Sequence, residues 1–347
     1  MLGIATARPQ RFSFVDRTDG RGEQTRSDRW SQLAKSAILV LGSPRSGTTW
    51  LAKIFDSHPE VLYRHEPDEL SQVNPGREPA EQVAEWLRER GLRAAAKRPS
   101  FRKSWRPAPL DLMRRAMGAG LALARQVKPE NNIGLPDMIM PGRWRLVRPV
   151  IKLVNWDASS VAGTMPDTRC VIILRHPCGQ VASVMAGLAA KRFLLSEGRS
   201  DLLLGLTVAS NWAGRHGVDQ ATFGALSDAA KLAWTWRAFN EPAVEGLRDL
   251  PNARIVIYED LCRRPKGASR ELFAFVGLGW APSTEAFLAS STHLDRPTDY
   301  FDVFRDTEVV ADRWRQTMSQ ADQEAVRRVL SSSVLAGWWP DLMARVA

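Results

Sequence analysis

Hydrophobic and polar positions follow two different periods along this chain. Short, nearly unbroken apolar runs occur at Ala37–Leu41, Val61–Tyr63, Val150–Val154, Cys170–Leu174 and Arg254–Ile257. Runs of this length, rich in Val, Ile and Leu, predict buried strands. Between them the apolar positions recur at helical spacing. Helices are expected over Trp50–Asp56, Glu78–Lys97, Leu110–Val127, from Pro177 on, through much of Leu188–Asn240, over Pro265–Val276 and from about Gln320 to Val334. Strands separated by helices predict an α/β fold, a parallel sheet flanked by helices.

Two of these helices break the rhythm. The insertion at about 78–130 predicts a helical cap, with Leu112, Met113, Ala116, Met117 and Leu123 on or near one face and its methionines used for packing. Trp212, Trp234 and Trp236 fall in a span expected to be core, with Ala229–Phe239 as a buried helix. Residues 1–36 are Arg-rich, polar and without a signal-peptide core, and are expected to be a mobile arm. Residues 37–347 are expected to form one domain.

Composition narrows the class. A chain of 347 residues with 44% hydrophobic and 25% charged residues fits one or two globular domains. No apolar run reaches the ~18 residues of a membrane span. Cys170, Cys178 and Cys262 show no C-x-x-C spacing, which argues against a disulfide framework or a zinc site. They are expected to be small core residues in a cytoplasmic protein.

Charge adds a second theme. The formal net charge is +10, and Arg88–Arg115 holds ten Lys/Arg against two acids, Glu89 and Asp111. That segment is either a solvated basic face or a surface for an anionic glycan, a lipid headgroup, a membrane or nucleic acid.

The chemistry concentrates after the first strand, in Gly42-Ser43-Pro44-Arg45-Ser46-Gly47-Thr48-Thr49. A tight Gly/Ser loop between a strand and a helix N-terminus cradles an anion on backbone N–H groups. The spacing of Gly42 and Gly47 matches a nucleoside-triphosphate loop, but Thr48 stands where that loop needs lysine. A guanidinium, Arg45, sits inside the loop instead. The fold expected is therefore P-loop-like, without the usual ATP-binding cation.

Pro44-Arg45-Ser46-Gly47-Thr48-Thr49-Trp50 resembles the 5′-phosphosulfate-binding loop of sulfotransferases, which use 3′-phosphoadenosine 5′-phosphosulfate (PAPS). A second segment, Arg169 to Ser183, resembles the family's 3′-phosphate motif: Arg175 at a strand end, Pro177 opening a helix and Ser183 about two turns in. The resemblance implies that Arg45, Ser46, Gly47, Thr48 and Thr49 hold the phosphosulfate, and that Arg175 and Ser183 hold the 3′-phosphate. Trp50 is implied beside the adenine, with a core tryptophan as the alternative. Tyr258, in Tyr258-Glu259-Asp260-Leu261, is implied near the adenine as well.

Arg313 and Trp314 occupy the place of a basic loop over the nucleotide, although the Arg-Lys-Gly form of cytosolic members is missing. Glu66 follows the first helix and His58-Pro59 as the catalytic base does in protein-tyrosine and several carbohydrate sulfotransferases. His65 is the competing base. Lys152, inside the second buried strand, either points toward the site or lies at a strand edge.

The implied reaction moves a sulfuryl group from PAPS to a hydroxyl of a carbohydrate, polysaccharide or glycolipid, leaving adenosine 3′,5′-bisphosphate (PAP). Arg45 stands in for a metal ion, and none is expected. The implied partner is an anionic glycan or glycolipid acceptor, with peripheral membrane-surface contact and no transmembrane segment. Two rivals are a P-loop kinase-like enzyme using ATP and a non-catalytic polyanion- or nucleic-acid-binding protein, nucleic acid being the less favoured partner.

Overall fold

The computed structural model describes residues 29–69, 76–88, 99–127, 135–153, 162–190, 197–292 and 307–343. The basic stretch 89–98, Val154 and residues 1–28 of the expected arm lie outside them. Residues 29–35, at the end of that arm, are helical; Ala34 is buried and Trp30 meets Trp144 edge-on at 5.0 Å.

Among the described residues, five strands form one sheet: β1 (Ile38–Leu41), β2 (Val61–His65), β3 (Arg148–Lys152), β4 (Arg169–Leu174) and β5 (Ala253–Ile257). Their spatial order is β2-β3-β1-β4-β5, and every pairing is parallel. β1 lies at the centre, flanked by β3 and β4, so chain order reverses beside it. Such a switch point opens a crevice at the carboxyl ends of the strands.

Both faces of the sheet are covered, which explains the unbroken apolar runs. Alternate side chains of β1 divide between two cores. Ile38 and Val40 join Val150, Val171 and Ile173 under α1 (Thr48–Asp56), which contributes Leu51, Ile54 and Phe55. Leu39 and Leu41 join Ile151, Cys170, Ile172 and Leu174 on the opposite face. There they meet α2 (Pro79–Arg88) through Val83, Trp86 and Leu87.

Helix α2 belongs to the core, whereas no described side chain of α3 (Ala108–Val127) joins either cluster. The packing role expected for the methionines of α3 fails, because Met113 is 47% and Met117 41% exposed.

The remaining helices complete the two layers. α4 (Pro177–Ala189) starts at a proline whose fixed φ suits the first helical turn. Then come α5 (Glu197–Arg215), α6 (Gln220–Ala225) and α7 (Asp228–Leu247), the last burying Trp234 and Trp236. Trp212, in α5, is partly buried against that core. α8 (Tyr258–Arg263) follows β5 directly and is succeeded by α9 (Pro265–Phe275) and α10 (Pro282–Thr292). The C-terminal part holds α11 (Thr307–Asp312), α12 (Trp314–Thr317), α13 (Gln320–Leu330) and α14 (Pro340–Met343). All three cysteines are free and buried.

Candidate active site

Each of the five strands delivers a polar group at its carboxyl end. β1 runs into the Gly42–Thr49 loop, and β2 ends at His65 with Glu66 following. β3 ends at Lys152, β4 is followed by Arg175, and β5 is followed by Tyr258. Register places Lys152 beside both Val40 and His65, between the loop and Glu66.

The loop after β1 is shaped to take an anion. Arg45 and Gly47 are left-handed, with φ of 71° and 100°. A Cβ on Gly47 would overlap the Tyr258 ring, so only glycine fits there. Gly47 caps α1 without any side-chain hydrogen bond, leaving the first-turn N–H groups to other acceptors. Among the described residues, the Ser46 hydroxyl is buried with no hydrogen-bond partner, and so is Nε of Arg175. Orphaned donors around an uncapped helix N-terminus suit an anionic ligand with more than one phosphate-like group. The residues present thus fit a phosphorylated nucleotide such as PAPS.

The groups expected to bind its two ends lie together. Arg45 Nε donates to Ser183 Oγ at 3.2 Å, and Arg175 Nη1 donates to the Arg45 carbonyl at 3.1 Å. The Arg175 guanidinium lies 4.7 Å from the Tyr258 ring centre. Trp50 is buried beside this group, edge-on to Tyr258 at 6.2 Å, and its Nε1 donates to Ser291 Oγ at 3.2 Å. Thr48 is buried and Thr49 half-buried at the start of α1.

Trp314 lies on the far side of the Arg175 strand end. It stacks on His176 at 4.3 Å, and both Trp314 and Arg175 press on Gly179. Arg313 is half-buried just before it.

Glu66 closes the other side of the crevice. It has a left-handed φ of 48°, and its N–H donates to the Lys152 carbonyl at 2.8 Å. Its carboxylate pairs with Lys152 Nζ through Oε1 and lies 3.3 Å from His65 Nε2 through Oε2. Tyr63 OH holds the other ring nitrogen of His65 at 2.6 Å. The Glu66 side chain is 16% exposed, those of Lys152 and His65 only 2% and 1%. Of the three, the carboxylate is the group a substrate can reach.

Burial, and then the nearby Arg45 guanidinium, pull the Lys152 ammonium from its ordinary 10.5 to about 7. The Glu66 carboxylate opposes that pull.

Two positioning residues were missed from the sequence. Gln180 Nε2 donates to Ser43 Oγ and to the Pro44 carbonyl, both at 2.9 Å, and so fixes the anion loop from α4. Glu259 accepts from the His176 N–H at 3.0 Å and orients the turn after Arg175. Both lie inside segments that the motifs covered.

A model of the "Sulfotransferase family" matches residues 37–282, which takes in all five strands. Mouse carbohydrate sulfotransferase 5 is 39% identical over 80 residues, 22% of this chain and 20% of its own length, so the chain spans about a fifth of that relative.

Among solved structures, the sulfotransferase domain of the Synechococcus PCC 7002 olefin synthase covers 85% of this chain and 93% of its own, with 18% identity and a TM-score of 0.42. Mouse sulfotransferase SULT7A1, solved with PAP, covers 88% and 89%, with 13% identity and a TM-score of 0.44. The family match over most of the chain carries the assignment: the protein belongs to the sulfotransferase family.

Proposed function

We propose that the chain transfers a sulfuryl group from PAPS to an acceptor hydroxyl. The convergence of Arg45, Glu66, Lys152, Arg175 and Tyr258 at one sheet edge carries this reading. PAPS supplies the sulfuryl group, and PAP is the other product. The acceptor O–H becomes O–SO₃⁻ and its proton goes to solvent by way of the protein.

Sulfuryl transfer parallels phosphoryl transfer, in which fixed cations and amides stabilise charge on the moving group and the leaving phosphate. Here the Ser46–Thr49 amides and Arg45 hold the phosphosulfate end. Arg175, with Ser183, holds the 3′-phosphate end. Lys152 lies between loop and base and pairs with the Glu66 carboxylate.

Glu66 takes the acceptor proton. Its competitor His65 is buried, and both its ring nitrogens face protein groups: Nδ1 meets Tyr63 OH and Nε2 faces Glu66. His65 therefore orients the carboxylate. The short likeness to a carbohydrate sulfotransferase favours a carbohydrate hydroxyl as acceptor. A reducing compartment such as the cytoplasm suits the three buried free thiols.

The test is incubation with [³⁵S]PAPS and a panel of carbohydrate and phenolic acceptors. Label moves to an acceptor with wild type and not with Glu66→Gln. Transfer of the ATP γ-phosphate, with none from PAPS, would overturn the reading.

A further inference from the structure

Helix α3 (Ala108–Val127) is amphipathic in the wrong sense for a soluble helix. Its inward face is polar. Asp111 is buried between Arg106 Nη1 at 2.8 Å and Arg115 Nε at 2.9 Å, and Arg114 Nε donates to the Pro136 carbonyl at 3.1 Å. Gly118, on the same side, lies against Leu135.

The outward face is apolar. Leu112 is 71% exposed, and Met113 and Met117 join it, with Ala116 between them and Gly120 one turn beyond, both exposed. A contiguous apolar helix face turned to solvent marks a docking surface.

The charge around this face selects the occupant. Arg115 is half exposed, and Arg102, just ahead of the helix, is exposed. Exposed Arg143 donates to the Ser104 carbonyl, in the segment that leads into the helix. The geometry points to an anionic lipid bilayer as the partner of α3. Leu112, Met113 and Met117 enter the acyl boundary while the flanking arginines meet lipid phosphates.

A second copy of the chain is the poorer fit. A two-fold contact through this face would set the arginine rim against itself. The helix is also tied to the catalytic edge. Arg106 Nε donates to the Asp137 carbonyl, and the Asp137 carboxylate is held by Arg64 at 2.7 Å, two residues before Glu66. Docking through α3 would place the crevice at a membrane surface. The surface itself does not depend on the sulfotransferase reading.

The test is co-sedimentation of the full chain with vesicles of 3:1 phosphatidylcholine:phosphatidylglycerol and of phosphatidylcholine alone, at low and high salt. Wild type sediments with the anionic vesicles at low salt. The triple variant Leu112→Ser, Met113→Ser, Met117→Ser stays folded, its melting temperature lowered by at most a few degrees through serine's weaker helix propensity, and loses at least about tenfold in binding. Arg115→Gln loses less.

Absence of vesicle binding, or equal binding by wild type and the triple variant, overturns the proposal. So does self-association of wild type without vesicle binding, when light scattering shows it abolished in the triple variant; that result assigns the face to a second copy.

Discussion

Lys152 offers a prediction whose size and sign follow from its surroundings. Its ammonium titrates at about 7 in the fold and at 10.5 as an ordinary lysine, because burial and then Arg45 disfavour the charge. Between those values the unfolded chain holds a proton that the folded chain has released. Stability attributable to this residue therefore rises with pH from about 7 to 10.5. Below that window the penalty is present in full.

At ~1.36 kcal/mol per tenfold change, the window spans at most about 5 kcal/mol. The side chain is 2% exposed, so solvent screening trims little, whereas the contact with Glu66 makes this figure a ceiling. Lys152→Met keeps the volume and removes the titration. Urea unfolding of both proteins at pH 7, 8, 9 and 10 isolates it, because groups not coupled to Lys152 cancel in the difference. Wild-type stability relative to the variant should climb by about 1 kcal/mol per pH unit. A difference that stays flat, or falls, across this range would show that Lys152 is not held neutral by its site.

The same titration predicts proton uptake. An anion in the loop beside Arg45 offsets that guanidinium, one of the two causes of the shift, and raises the pH at which the ammonium titrates, so PAPS binding at pH 8 should take up part of a proton, at most about 0.9. Calorimetry in HEPES and in Tris measures this uptake, which Lys152→Met should abolish. Glu66→Gln should lower kcat by roughly 10²–10⁴ with PAP affinity unchanged, and near-normal turnover would remove Glu66 as base.

Gly47→Ala should lower stability by at least ~2 kcal/mol in denaturant titration, since its φ of 100° is strained for alanine and the Cβ meets Tyr258. In Asp56→Ala, two buried lysines lose the carboxylate that Lys53 meets at 2.7 Å and Lys103 at 2.9 Å. A loss of about 3–5 kcal/mol should appear in the same assay; a loss under 1 kcal/mol would contradict the pairing.

Much of this site was legible because its chemistry is local. The anion loop, with its strand and helix, is contiguous, and Arg175 and Ser183 share one strand–helix unit. Glu66 needed only one crossover. Lys152 was not decided by sequence, because a strand buried on both faces has no alternation to show where a lysine points. Its place depends on β3 entering the sheet between β1 and β2, a contact set by packing rather than by chain order.

The apolar stripe of α3 was visible, but periodicity gives a stripe and not its direction. The buried Arg106–Asp111 pair turns it outward. Trp314 shows a different limit. The resemblance implied only a loop over the nucleotide, while the stacking of Trp314 on His176 follows from the C-terminal helices closing over that strand end.

The most direct test of the central claim is calorimetric titration of PAP into wild type and Arg175→Ala, with ATP as control. Tight PAP binding to wild type, weakened at least about tenfold by the loss of charge-assisted hydrogen bonds in the variant and not matched by ATP, is the predicted result. Failure of PAP to bind a folded wild-type protein, or equal binding by the variant, would contradict a nucleotide site at this sheet edge.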